Sequence, residues 1–282
     1  MRTVTAKRVF EAAVRMVGLD PDTATLTTAQ KARVAELVND RVYLAWEAAF
    51  FQETMLVEQR EYAATYAAGT TYADGDVVYY SGHYYESEAG SNVGHTPDSS
   101  PTWWTNVDST TIRQILFEQT GETVIHRIDP VQAVYDKDPR IYEDAGCMRN
   151  VRLLDDRILV RDEEAPLQPW IKFQTRPREY SWTEWSSITT YATGDLVYYA
   201  TTGHSYKALQ ASTNQNPSSQ TSYWEAVGVP YFLLTYLKHG VAADMQQEDD
   251  GMFREDAKAE EELQRLLDAH ESGFSNRVAQ FG

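Results

Sequence analysis

Apolar residues recur every three or four positions at the start of the chain. Val9, Phe10, Ala13, Val14, Met16 and Val17 share one helical stripe, closed by Gly18 and the Asp20-Pro21-Asp22 turn. Thr27 and Gln30 stand at the spacing of a capping box and open a second helix. That helix runs through Val34, Leu37, Val38, Val42, Ala45 and Ala49, the spacing of one buried face. The pattern changes around Phe50–Glu53, and Thr54–Tyr62 reads as a strand. Further strands are expected at Thr123–Ile128, Val131–Tyr135, Arg157–Arg161 and Trp170–Thr175. Pro230 stands at a helix start, followed by the stripe Tyr231, Leu234, Leu237, Val241 and Met245. A more polar helical extension follows Gly251, with Leu263, Leu266 and Leu267 its main apolar points, and an arm or tail is expected from Gly273.

Between these segments lies an internal repeat. Residues 70–107 and 189–227 share Thr-Thr-Tyr, Gly-Asp, Val-Tyr-Tyr, Gly-His, a lone Tyr, Pro, Trp and Val in the same order. Eighteen of the 25 Tyr and Trp residues fall in residues 62–108 and 180–229. In each copy a Gly-Asp turn leads to a first strand, Val77–Tyr80 or Leu196–Tyr199. Gly82-His83 or Gly203-His204 then turns the chain into a second strand through Tyr85 or Tyr206. Pro97 and Pro217 punctuate a loop, and Trp104 and Trp224 return to close a small aromatic core. A module of this size buries little surface, so large rings substitute for a layered core. The expected core rings are Tyr72, Tyr85 and Trp104 in the first copy and Tyr191, Tyr206 and Trp224 in the second.

The element order predicts an α+β fold: a helical body of N-terminal helices and long C-terminal helices, a small β region, and two inserted all-β modules. The expected segments are 1–62 (helices and first strand), 63–108 (first module), 109–181 (β-rich part of the body), 182–229 (second module) and 230–282 (C-terminal helices and tail).

Charge narrows the partners. The chain has 42 acidic and 25 basic residues, net −17. Residues 61–108 carry seven acids and no Lys or Arg; residues 244–282 carry eleven acids against four bases. Gripping nucleic acid needs clustered cations, so a DNA-binding surface is not expected, although DNA sliding past is compatible. A single cysteine, Cys147, rules out a disulfide framework and any zinc site built on several cysteines. No apolar run approaches a membrane span, and the N-terminus reads as an amphipathic helix rather than a signal peptide. A soluble protein made in the cytoplasm is expected.

The repeat resembles the small chitin-binding modules of bacterial chitinases. Tyr72, Gly75, Asp76, Val78, Tyr80, Gly82, Tyr85, Gly94, Pro97, Trp104 and Val107 carry the resemblance in the first copy. Tyr191, Gly194, Asp195, Val197, Tyr199, Gly203, Tyr206, Ala208, Pro217, Trp224 and Val227 carry it in the second. The exposed Trp pair with which that family stacks on sugar is replaced by Glu88-Ala89-Gly90 and Gln210-Ala211-Ser212. Tyr79, Tyr84, Trp103, Trp182 and Trp185 are the remaining candidates for stacking on a glycan.

The rest of the chain resembles tailed-phage head-to-tail adaptors, or connectors. The matching features are the helix pair before Phe51, the strand entering at Met55, the segment Val134-Tyr135-Asp136-Lys137-Asp138-Pro139-Arg140, and the helices after Pro230. That resemblance implies a non-enzymatic virion protein at the head–tail junction, forming a ring (twelve-fold in the family) beneath the portal. It implies as partners the portal protein, a tail or stopper protein and further copies of the chain, with genomic DNA passing through without specific binding and no membrane. Tyr231, Leu234, Leu237, Leu263, Leu266 and Leu267 are the candidates for portal or ring contact. The competing reading is a carbohydrate-binding fibre or chitinase-accessory protein that uses the aromatic repeats on a surface glycan.

Neither a catalytic constellation nor a cofactor motif is found. Gln246–Gly251 superficially resembles a calcium loop but has Gln246 at the first ligand and Ala257 where the bidentate Glu belongs. His83 and His204 recur with the turn and read as turn residues rather than metal ligands. Asp155-Asp156 and Glu163-Glu164 read as solvated loops.

Overall fold

The computed structural model describes residues 2–21, 26–109, 112–116, 131–154, 157–161, 165–247 and 253–278. In chain order the first elements are β1 (Thr3–Val4), α1 (Ala6–Met16), α2 (Thr28–Ala48) and β2 (Met55–Gln59). The first repeat supplies β3 (Val77–Tyr80), β4 (His83–Ser87) and β5 (Trp104–Asn106). Then come β6 (Ile112–Leu116), β7 (Val131–Tyr135), β8 (Val151–Leu153), β9 (Arg157–Arg161) and β10 (Trp170–Gln174). The second repeat supplies β11 (Thr190–Tyr191), β12 (Leu196–Tyr199), β13 (His204–Ala208), β14 (Ser212–Thr213) and β15 (Trp224–Val227). The chain closes with β16 (Val229–Pro230), α3 (Leu234–Gln247) and α4 (Phe253–Val278).

The chain divides into two units, Met1–Glu53 with Pro177–Gly282, and Thr54–Arg176. In the first, α1, α2 and α3 meet around Val9, Phe10, Val14, Val34, Val38, Leu237 and Val241, all at most 2% exposed. The Thr27–Gln30 capping box is present at the start of α2. The two chain segments of this unit are tied by β1 pairing antiparallel with β16, Thr3 opposite Pro230 and Val4 opposite Val229. The second repeat belongs to this unit, and its hairpin pairs Val197 with Tyr206 and Tyr198 with Ser205.

The second unit is β structure with its own core. One antiparallel sheet runs β2-β10-β7 and another β6-β9-β8. Val134, Ile158, Val160, Ile171 and Phe173 fill the space between them. The first repeat is part of this unit, as the three-stranded sheet β3-β4-β5.

These features correct the expected fold. Among the described residues sixteen strands in six small sheets stand beside four α-helices, so the protein is not a helical body with a small β region and long C-terminal helices. The reason is that residues 54–176 bury an apolar core of their own instead of decorating a helical one. The expected tail also changes. Helix α4 continues through Gly273 to Val278, because a single glycine costs a helix only about 1 kcal/mol. The strand expected at Thr54–Tyr62 is shorter, Met55–Gln59, and the one expected at Thr123–Ile128 lies outside the described residues.

Candidate functional site

The cores of the two repeats share the same bonds. The Tyr72 hydroxyl accepts from the Ala67 amide at 2.7 Å, and the Tyr191 hydroxyl from that of Ser186 at 2.8 Å. The Asp76 carboxylate accepts from the Ala73 amide at 2.6 Å and Asp195 from that of Ala192 at 2.8 Å, which explains the Asp of each Gly-Asp turn. The Trp104 indole donates to the His95 carbonyl at 2.8 Å, and Trp224 to that of Gln215 at 2.9 Å. The rings pack edge to face, Tyr72 on Trp104 and Tyr191 on Trp224, each pair with centroids 5.2 Å apart. Tyr85 and Tyr206 pack against these same clusters.

Side chains alternate across a strand, so each hairpin has a second face. Val78 and Val197 point into the aromatic core; Tyr79 and Tyr84, and Tyr198 and Ser205, point away from it as cross-strand pairs. In both copies this second face is docked on the unit to which the copy belongs. Tyr84 is 3% exposed; its hydroxyl accepts from the Tyr62 amide at 3.0 Å and donates to the Leu167 carbonyl at 2.7 Å. The Arg113 guanidinium lies over the Tyr62 and Tyr84 rings. Burial pushes the Tyr84 hydroxyl up to about 12. In the second copy the face is closed by α1. Phe10 stacks on Trp182 at 4.8 Å and meets Tyr198 edge-on at 6.4 Å. The Tyr198 hydroxyl is likewise pushed up to about 12 by burial. Ser205 takes the place of Tyr84, and its hydroxyl accepts from the Ser181 amide and donates to the Ser181 carbonyl.

Two glycines let α1 and β1 come this close. The Lys7 amide donates to the Gly203 carbonyl at 2.9 Å, and a Cβ on Gly203 would stand 2.9 Å from the Cβ of Lys7. Gly228 packs on Thr3, where a Cβ would meet the threonine side chain at 2.7 Å. The first copy has Gly82 in open space and Asp108 in place of Gly228. There Asp108 accepts from the Tyr84 amide at 2.8 Å and contacts His83 Nδ1 at 2.7 Å. Burial raises the Asp108 carboxyl, but these hydrogen bonds outweigh it and hold the group below its ordinary range.

The five glycan-stacking candidates are therefore not one surface. Tyr84 and Trp182 are 3% and 4% exposed and have no face left for a sugar; Tyr79 is half-buried beside Tyr84. Trp185 packs against the second aromatic core, edge-on to Tyr199. Trp103 has one face covered by His95, the rings 4.0 Å apart and within 11° of parallel. Tyr84 is buried because the docking face of its hairpin, Tyr79 and Tyr84, is as aromatic as its core face; Trp182, which precedes the second hairpin, is buried under Phe10 of α1.

The candidates for portal or ring contact also scatter. Leu237 is fully buried, and Leu234, Leu263 and Leu266 pack against the helical core, so these leucines hold the helices together within the chain. Leu267 is half-buried. Tyr231 is 40% exposed with the Arg2 guanidinium 4.4 Å over its ring. Among the described residues no group of three or more His, Cys, Asp and Glu is placed to hold a metal ion. No helix among them is long and apolar enough to cross a membrane. Cys147 is exposed. Asp155-Asp156, Glu163-Glu164 and most of Gln246–Gly251 lie outside the described residues.

Sequence reasoning missed the ionic junction of α2, α3 and α4. Arg41 donates to both Asp244 oxygens, at 2.6 and 2.8 Å, and to Asp256 at 2.9 Å. His239 Nδ1 lies 2.7 Å from Glu255, which also receives Lys258. No spacing in the sequence links residue 41 with residue 256. The exchange of Asp108 for Gly228 between otherwise matching repeats was the one readable signal for the α1 contact. Compared with known proteins, the chain matches no family model and no curated protein.

Proposed function

We propose that the chain is a non-enzymatic structural protein of a tailed-phage virion, a ring-forming adaptor that joins portal to tail. The observation that carries this reading is that both aromatic modules are built into their own units through the same hairpin face. A module that serves a ligand keeps its aromatic platform open, whereas these two work as bracing. In the first copy the brace is Tyr84 between Tyr62 and Leu167; in the second it is Trp182 and Tyr198 under Phe10. The reading does not depend on a mainly helical body. It rests on this bracing and on the order of helix pair, β unit and closing helices that resembles the adaptors.

The charge agrees with that role. The acidic C-terminal segment, net −7 over residues 244–282, suits a wall past which DNA slides, since like charges keep the genome from adhering, while the modules radiate outward. Portal, tail or stopper protein and further copies of the chain are the partners of this function. Light scattering of the purified chain, alone and with portal protein, tests it. A defined ring-sized species formed with the portal supports the reading; a monomer indifferent to portal removes it.

A further inference from the structure

Helix α4 is 26 residues long, yet among its described side chains Ala259 alone is fully buried, with Leu263 and Leu266 half-buried against the core. Its first turns carry ionic contacts to α2 and α3 as well. Asp256 meets Arg41 of α2, which also holds Asp244 of α3 in a two-pronged pair. Glu255 meets His239 of α3 and Lys258 of α4 itself. The fold makes room for this junction: Gly240 sits in the middle of α3 where a Cβ would stand 3.0 Å from Arg41 Cδ and Nε. A glycine inside a helix weakens it relative to alanine, so its place here fits the passage of the guanidinium.

We propose that α4 is a detachable arm, clasped to α2 and α3 through Arg41, Asp244, Asp256, His239 and Glu255, and freed as one element when the clasp opens. Paired charges at a partly wetted junction fix position more than they add stability. The remaining titratable groups acting at the junction are Tyr236 on α3, and Lys258 and Glu260 on α4. A helix held this way keeps its place at rest, yet is free to move when a charged partner competes for Arg41. This inference stands on the helical unit and does not need the adaptor reading.

Hydrogen exchange of the full chain tests it, comparing Glu255→Gln/Asp256→Asn, Gly240→Ala and Leu263→Ala with the parent. The double variant leaves the Arg41–Asp244 pair intact, so α2 and α3 keep their contact. Exchange over residues 255–267 should rise about tenfold or more in the double variant, as loss of charge-assisted bonds implies, with α1, α2 and α3 unchanged. Gly240→Ala should raise the same stretch by displacing Arg41, and Leu263→Ala should raise it less than the double variant. Unchanged exchange in the double variant, a larger effect from Leu263→Ala, or a joint rise in all four helices overturns the proposal.

Discussion

Gly203 and Lys7 touch backbone to backbone, the lysine amide donating to the glycine carbonyl at 2.9 Å with no space for a side chain on Gly203. A Cβ on the matching Gly82 would meet nothing within 4 Å. Both have positive φ, +70° and +90°, so alanine at either position costs about 1 kcal/mol from backbone strain. Gly203→Ala should cost a further ~1–3 kcal/mol from the clash with Lys7. Urea titration of the two variants measures the difference; equal midpoints would mean that α1 does not close the second module.

Phe10 is fully buried between Trp182 and Tyr198. Phe10→Ala should destabilise the helical unit by about 3–5 kcal/mol. It should also raise the fluorescence response of Trp182 to an added quencher. A quenching profile like the parent's contradicts the packing.

Much of this architecture is legible in the sequence, and the reason is local. The hairpin strands Val77–Tyr80 and Leu196–Tyr199, and the strands at Val131 and Arg157, are marked by alternation and by the turns around them. The capping box marks the start of α2 in the same way. What alternation leaves open is which face of a hairpin is covered by the rest of the chain. Tyr79 and Tyr84 read as exposed platforms because both faces of their hairpin are aromatic, and only a contact more than 80 residues away, Tyr84 with Leu167, decides otherwise. The proportion of helix to strand misleads for a similar reason. Short strands joined by masses of turn residues look like the margin of a helical body until their apolar positions, Ile158, Ile171 and Phe173, prove to face one another.

The Tyr84 hydroxyl bridges two backbone groups, so Tyr84→Phe leaves the Tyr62 amide and the Leu167 carbonyl without it. A loss of about 1–3 kcal/mol is expected in the β unit, read by urea denaturation. A change near zero contradicts the bracing role of that hydroxyl.

Alkaline titration gives a second readout of the docked faces. Tyr84 and Tyr198 both have hydroxyls pushed up to about 12 against an ordinary value of 10. A raised folded value means the native state holds its proton longer than the unfolded chain. The stability from these two groups is therefore complete below pH 10 and is lost as pH rises through 10 to 12. Tyr84→Phe should flatten the part of this fall that belongs to the β unit; an identical pH profile in the variant contradicts burial of the tyrosine.

Acid acts on the α4 clasp in the opposite direction. The hydrogen bond from Lys258 is the largest influence on the Glu255 carboxyl; burial opposes it, but with the further help of His239 the group is held below its ordinary 4.5. Its contribution is present above the unfolded value and is lost as pH falls through the lowered folded value. Hydrogen exchange in residues 255–267 should therefore rise on acidification below pH 4.5, and Glu255→Gln should remove that Glu255-dependent part of the response. A response unaltered by the substitution contradicts it.

The bracing of both modules predicts that the purified chain is not retained on insoluble chitin. Retention that Trp103→Ala abolishes would instead favour the carbohydrate-binding reading.

The central claim is tested most directly by electron cryo-microscopy of the assembled phage particle. The account predicts the chain as a closed ring between portal and tail, its two aromatic modules packed into the subunit body. Density for the chain on a fibre or away from the head–tail junction, with the modules free and facing solvent, would contradict it.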